Sequence, residues 1–175
     1  MSEFRQSIEE QLPRLRRYAR ALTRNRDRAD DLVQDTILRA LAKEHLWQPG
    51  TDLRAWLFTL MHNQNVNFVR RGMREGVSVD VDDMSASLVA TADPTVGCQL
   101  VELDRALAQL SEEQRQVILL IGLDGAAYEE AAEILGIPVG TVRSRLSRGR
   151  ESLRRAMGML EEGASAAPAS LKDAA

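Results

Sequence analysis

The chain has 175 residues, enough for one ordinary domain or two small ones, and its low aromatic content (4%) with abundant Leu, Ala, Arg and Glu favours an all-α protein. No apolar run approaches the length of a membrane span, about 18 residues. Cys98 stands alone, so cysteine supplies neither an internal disulfide nor a four-ligand zinc site.

The N-terminus, MSEFRQSIEEQLPR, is charged and lacks an apolar signal core, which places the chain in the cytoplasm. His45 and His62 do not form a metal-ligand pattern, and no cofactor is expected. No nucleophile–base pair or phosphate loop appears, so an enzyme is not expected either. The net charge of −3 hides a segregation. Residues 1–76 carry 14 basic and 10 acidic side chains, residues 77–98 none and 4, residues 99–137 2 and 8, and residues 138–156 6 and 1. Local fields, not the overall balance, then choose partners. One consequence is a compact free state in which the acidic linker or the acidic 99–137 block shields basic faces.

In chain order, Ile8, Leu12, Leu15, Ala19 and Leu22 form the apolar stripe of a first helix. Its regular part is expected to start near Pro13, because proline suits a first turn. A second helix is expected from Asp27 as N-cap, burying Ala29, Leu32, Val33, Thr36, Ile37, Ala40 and Leu41. It exposes Asp31, Gln34, Asp35 and Leu38, an acidic face with an apolar edge suited to a basic partner helix. Gln48 to Thr51 breaks the chain. A third helix, Asp52 to Arg74, turns Leu53, Trp56, Leu57, Leu60 and Met61 inward. Its second half, HNQNVNFVRRGMR, sets Asn63, Asn67, Arg70 and Arg74 on one face, with Arg71 beside them. Amides beside arginines suit exposed bases along a phosphate track, and Phe68 offers stacking surface, whereas Trp56 fits the core.

Residues 76–98 hold Gly, Ser, Asp and Pro but no basic residue, and read as a flexible acidic linker. In the second block, 99–160, Leu100, Leu103, Leu107 and Leu110 mark a helix. Ser111 with Gln114 forms a capping box for the next, which carries Val117, Ile118 and Ile121. Tyr128, Ala131, Ala132 and Leu135 give a short third helix, Gly136–Pro138 a tight turn, and Val142, Leu146, Gly149 and Leu153 the inner stripe of a fourth. Residues 161–175 read as a disordered tail.

That last pair of helices has helix-turn-helix form. Its outer face carries Thr141, Arg143, Ser144, Ser147 and Arg148 toward a major groove, with Arg145, Arg150, Arg154 and Arg155 toward phosphates. A solvated helix with solubilising arginines is the plainer alternative. The one-signed charge behind a correctly placed turn argues for DNA.

Taken together, RADDLVQDTILRAL, QPGTDLRAWLFTLMHNQNVNFVRR and YEEAAEILGIPVGTVRSRLSRGRESLRR, in this order, resemble an extracytoplasmic-function (ECF) bacterial sigma factor. QPGTDLRAWLFT and VELDRALAQL further resemble the alphaproteobacterial general-stress-response group. The resemblance covers residues 5–157. It implies a sigma-2-like bundle (1–75) that grips core RNA polymerase and the −10 element. A sigma-4-like helix-turn-helix domain (99–160) would read the −35 element of promoter DNA. It further implies that Asp31, Gln34, Asp35 and Leu38 dock on the polymerase β′ coiled coil, that Asn63, Asn67, Arg70, Arg71 and Arg74 meet the −10 strand, and that an anti-sigma factor controls the protein. The chain departs from the family at Ala126 and Ala127, where a Ser often caps the helix, at Ser147, where some members carry an aromatic, and at Gly149, where Ala is usual and whose glycine is expected to loosen the helix. Two other readings stay open: a sigma mimic that sequesters an anti-sigma factor, and a stand-alone dimeric helix-turn-helix regulator.

Overall fold

A computed structural model describes residues 3–75 and 94–159, and every long element among them is a helix. The first helix, α1, spans Glu3–Thr23 and runs through Pro13 instead of starting near it. Pro13 is exposed, so the carbonyl it leaves unpaired faces solvent. The turns before it are anchored by tertiary packing. Phe4 and Ile8 are buried, and Phe4 lies against Trp47 and Trp56 with ring centroids 5.1 and 6.2 Å away. Trp56 is thus a core-edge residue, as its position on the apolar stripe suggested.

The second helix, α2, spans Arg26–Ala42. Its N-cap is Asn25 rather than Asp27: Asn25 Oδ1 accepts from the Arg28 backbone N–H at 2.9 Å. Arg24 links α1 to α2 at φ +53°, a left-handed conformation that costs a non-glycine residue about 1–3 kcal/mol. α3 spans Leu53–Glu75 and buries Leu53, Leu57, Phe58 and Met61 against α1 and α2. Tyr18 of α1 meets Phe58 edge-on at 5.0 Å.

α4 spans Pro94–Ala108, so residues 94–98 are helical although their composition reads as linker. Residues 76–93 and 160–175, which hold the rest of the expected linker and all of the expected tail, lie outside the described residues. α5, Glu112–Ile118, opens on the expected capping box and passes into a π-helical turn at Leu119–Leu123. Gly125, at φ +78°, ends that turn. α6 spans Tyr128–Leu135. Gly136 follows at φ 64°, ψ 36°, where a left-handed C-cap favours glycine. α7 then runs Val139–Ala156, with Val142, Leu146 and Gly149 buried.

Gly149 does not loosen α7 but admits close packing. A Cβ there would meet Ile118 Cδ1 of α5 at 2.7 Å and Gln114 Cβ at 3.3 Å. The buried apolar residues of the two halves form one cluster, because α3 packs on α6 and α1 on the π turn.

Candidate nucleic-acid interface

On α7, Arg143, Ser147, Arg148, Arg150 and Arg154 are exposed, and Thr141 and Ser144 are half-exposed on the same side. The helix earns this orientation from its buried stripe, which fixes its rotation against α5 and α6. Arg143 lies 5.9 Å from the Tyr128 ring of α6, a long cation–π contact that tethers its base to the preceding helix. Ser144 Oγ donates to the Thr141 carbonyl at 3.0 Å, so its hydroxyl is satisfied locally.

Two of the expected phosphate residues are already paired. Arg145 lies 3.1 Å from the Glu113 carboxylate of α5, and Arg155 lies 3.0 Å from Glu151. Arg148, Arg150 and Arg154 form no ion pair among the described residues, and none of the acidic residues 99–137 covers them. Of this face, the acidic 99–137 block pairs only Arg145, through Glu113, among the described residues. Asp104, Asp124 and Glu130 of the same block pair instead with Arg24 and Arg54 of the first half.

In the first half, Asn63, Asn67, Arg70, Arg71 and Arg74 are all exposed on α3, and Asp31, Gln34, Asp35 and Leu38 on α2. The fold brings the two sets together. Asp35 and Leu38 form one wall, and Asn67, Arg70, Arg71 and Arg74 the other, of an open groove of about 590 Å³. Asn63 stands outside that lining. Leu38 is 64% exposed, an apolar side chain with nothing covering it. Phe68, half-exposed in the same groove, carries the Arg28 guanidinium 4.3 Å from its ring centroid. Burial lowers the Arg28 pKa and the nearby Glu112 carboxylate opposes that shift. Arg28 comes from another helix, 40 positions earlier, and no sequence period links it to Phe68.

Asn65 belongs to neither face. It is 2% exposed, and its Nδ2 donates to Glu112 Oε1 of α5 at 2.7 Å. Other cross-links join the halves nearby. Arg24 grips Asp104 through Nε and Nη2 at 3.1 and 2.8 Å. Arg54 donates to Asp124 at 2.6 Å and also to Glu130. Arg115 Nη1 donates to the Leu22 carbonyl at 3.3 Å, and Arg17 to the Leu123 carbonyl at 3.4 Å. Burial works against the charge on Arg54, but Asp124, Glu130 and Asp52 outweigh it and raise its pKa. Tyr18, beneath this seam, is pushed up by burial and then by Glu112 and Asp124. Sequence reasoning missed these residues. Only the charge blocks, basic before residue 76 and acidic after 98, hinted at them.

Among the described residues no group of three or more His, Cys, Asp or Glu is placed to hold a metal, and no helix is long and apolar enough to cross a membrane.

Fold and surface thus define a helical helix-turn-helix protein with a second polar groove on a separate bundle. Residues 8–62 match the family model for the Sigma2 domain of PhyR, and residues 100–163 that for Sigma-70, region 4. The ECF RNA polymerase sigma factor EcfG of Rhodopseudomonas palustris is 41% identical over 150 residues, covering 86% of this chain and 82% of that one. The sigma factor RpoE of Bartonella quintana, solved in complex with the anti-sigma factor NepR, superposes with a TM-score of 0.76 at 37% identity, over 90% of this chain and 98% of that one. A PhyRSL–NepR complex from Sphingomonas sp. Fr1 shares the fold, with a TM-score of 0.65 at 23% identity over 95% and 96% of the two chains. The chain belongs to the ECF RNA polymerase sigma factors, proteins of transcription initiation.

Proposed function

We propose that this sigma factor brings core RNA polymerase to promoters through two separate readers, in the cytoplasm and under the control of an anti-sigma factor. The first half, residues 1–75, docks Asp31, Gln34, Asp35 and Leu38 on the polymerase β′ coiled coil. It presents Asn63, Asn67, Arg70, Arg71 and Arg74 to the melted −10 strand. Trapping an unpaired base offsets part of an unstacking cost of a few kcal/mol. The second half, residues 94–160, reads the −35 duplex with Thr141, Arg143, Ser144, Ser147 and Arg148, while Arg150 and Arg154 neutralise phosphates. Arg145 and Arg155 join them only by leaving Glu113 and Glu151. Each reader alone is weak, and polymerase supplies the spacing that makes them act together.

The observation that carries this reading is the exposed face of α7, where Arg143, Ser147, Arg148 and Arg150 stand free of neighbouring carboxylates. The complex of RpoE with NepR supports an anti-sigma partner, and the resemblance of QPGTDLRAWLFT and VELDRALAQL to the general-stress-response group is the ground for a stress-response role. One observation favours a second reading: the first half matches a domain of PhyR, which is described as an anti-anti-sigma factor in its own complex with NepR. A mimic of that kind binds the anti-sigma factor without reading DNA.

Runoff transcription with purified core polymerase and a genomic promoter pool separates the readings. Specific transcripts that require the chain, and weaken in both Arg148→Ala and Asn63→Ala, support the sigma factor. Absent transcripts with retained anti-sigma binding support the mimic.

A further inference from the structure

We propose that the groove between α2 and α3 is a guanine-nucleotide site whose occupant competes with core polymerase. The base enters the smaller of two joined cavities, beside Phe68 and Asp31, and the phosphates lie in the larger, among Arg39, Arg70, Arg71 and Arg74. The competition rests on the docking face proposed above; the binding does not. The open groove of about 590 Å³ adjoins a second cavity of about 370 Å³. Asp35, Gln64, Phe68 and Arg71 line both, so the two meet around the Phe68 ring. Each volume lies within the range of small-molecule sites, about 300–1,000 Å³. The lining is sorted by charge. Arg39, Arg70 and Arg74 line only the larger cavity, and Arg28, Asp31 and Gln34 only the smaller.

Arg39, Arg70, Arg71 and Arg74 are exposed and form no ion pair among the described residues. Four unpaired guanidinium groups around one trough repel one another until an anion fills it. A melted strand brings one phosphate charge per nucleotide, whereas a triphosphate brings several on adjacent groups. Arginine binds phosphate oxygens in pairs, so the clustered cations match the triphosphate. The smaller cavity has the chemistry of a base site. Phe68 is 48% exposed, and the Arg28 guanidinium, 4.3 Å from its centroid, adds a second flat surface that no carboxylate pairs among the described residues. Bases stack on aromatic and guanidinium planes alike. Asp31 and Asp35 bring acceptors only, while the Gln34 and Gln64 amides bring donors and acceptors. Guanine presents N1–H and N2–H side by side on its Watson–Crick edge, and one carboxylate accepts both. Adenine places a bare N1 lone pair there, which a carboxylate repels. The pocket therefore favours guanine. Asp31 and Asp35 also belong to the face assigned to polymerase, and Leu38 lines the phosphate side, so nucleotide and polymerase exclude each other.

Isothermal titration calorimetry of the full chain with GTP, ATP and inorganic triphosphate reads the site directly. Saturable binding of GTP is expected, about tenfold tighter than either ATP or triphosphate. Phe68→Ala removes the stacking surface and is expected to weaken GTP about tenfold while leaving triphosphate unchanged. Arg74→Gln is expected to weaken GTP and triphosphate alike. Asp31→Asn is expected to narrow the preference for GTP over ATP, which a merely structural role would not move. All three side chains are exposed, and a variant that circular dichroism shows to be misfolded leaves the other two to decide. No saturation up to the millimolar range, triphosphate or ATP bound as tightly as GTP, or folded variants that all bind GTP like the native chain overturns the site. Assembly with core polymerase, measured without DNA, is expected to weaken as GTP saturates the native chain and to resist GTP in the Phe68→Ala chain. GTP bound with assembly intact overturns the competition and the docking of Asp31 and Asp35 on polymerase, and leaves the nucleotide site standing.

Discussion

Gly149→Ala sets two calculable effects against each other. Alanine is a better helix former than glycine by about 1 kcal/mol in a helix interior, and α7 is a regular helix there. Against this, the new Cβ would sit 2.7 Å from Ile118 Cδ1 and 3.3 Å from both Gln114 Cβ and Ile118 Cγ1. Ile118 is half-buried and can rotate, but overpacking of this kind costs about 1–3 kcal/mol. The expected net effect is a loss of about 1 kcal/mol. Removing the offending methyl reverses the sign: in an Ile118→Val background, Gly149→Ala is expected to stabilise by about 0.5–1 kcal/mol. The two changes thus couple by roughly 1.5–2 kcal/mol, within the range for residues in contact. Urea unfolding of the four proteins, compared at constant m, measures it. A gain of about 1 kcal/mol from Gly149→Ala in the native background, or additivity of the two changes, refutes the packing argument.

Further consequences follow from particular residues. Ala127 caps α6 without a side-chain acceptor, and only Glu130 Oε2, accepting from the Ala127 N–H at 3.3 Å, serves that end. Ala127→Ser should therefore stabilise the protein by about 0.5–1 kcal/mol in urea unfolding, and no gain would mean that Glu130 already suffices. The His62 pKa is lowered by burial, with Glu112 opposing, and its Nδ1 has no hydrogen-bond partner among the described residues. The neutral ring is thus the form the fold prefers. Its contribution is complete above the ordinary histidine pKa of about 6.5 and is lost as pH falls toward the lower folded value. His62→Gln should flatten the decline in stability below pH about 6.5, and an unchanged profile would reassign the decline to other groups. On promoter complexes of the polymerase holoenzyme, Arg148→Ala should cost about 1–3 kcal/mol on the preferred −35 sequence and relax discrimination. Arg150→Ala should instead weaken all sequences alike and reduce the salt slope by about 1. Identical behaviour of the two variants would contradict the division of α7 into base and phosphate contacts.

The second half was the more legible in sequence because its signals are local. Ser111 and Gln114 are three residues apart, Gly136 and Pro138 flank one turn, and the α7 stripe repeats at helical spacing, so the α5 cap, the turn and the exposed basic side of α7 follow from short-range chemistry. The misreadings were tertiary. Pro13 looked like a helix start because the Phe4–Trp47–Trp56 cluster that secures the preceding turns joins residues far apart in the chain. Asp27 looked like the better cap, yet Asn25 holds that place after the left-handed Arg24 turns the chain. Gly149 read as a flaw in α7 until Ile118 appeared across from it. Arg54 and Asn65 sit among residues with ordinary surface patterns, and their partners lie 70, 76 and 47 positions away. Charge segregation signalled that the halves attract, but not which side chains meet.

Promoter recognition is expected to belong to the polymerase-bound chain, with two readers engaged at once. The most direct measurement titrates a promoter fragment, chosen from the runoff products, with the chain alone, with core polymerase alone, and with both. Binding by either alone is expected to be weak, salt-sensitive and sequence-indifferent, and binding by the pair specific and reduced by each of Arg148→Ala and Asn63→Ala. Tight, specific binding by the chain alone, on a palindromic site and unaffected by polymerase, would contradict it.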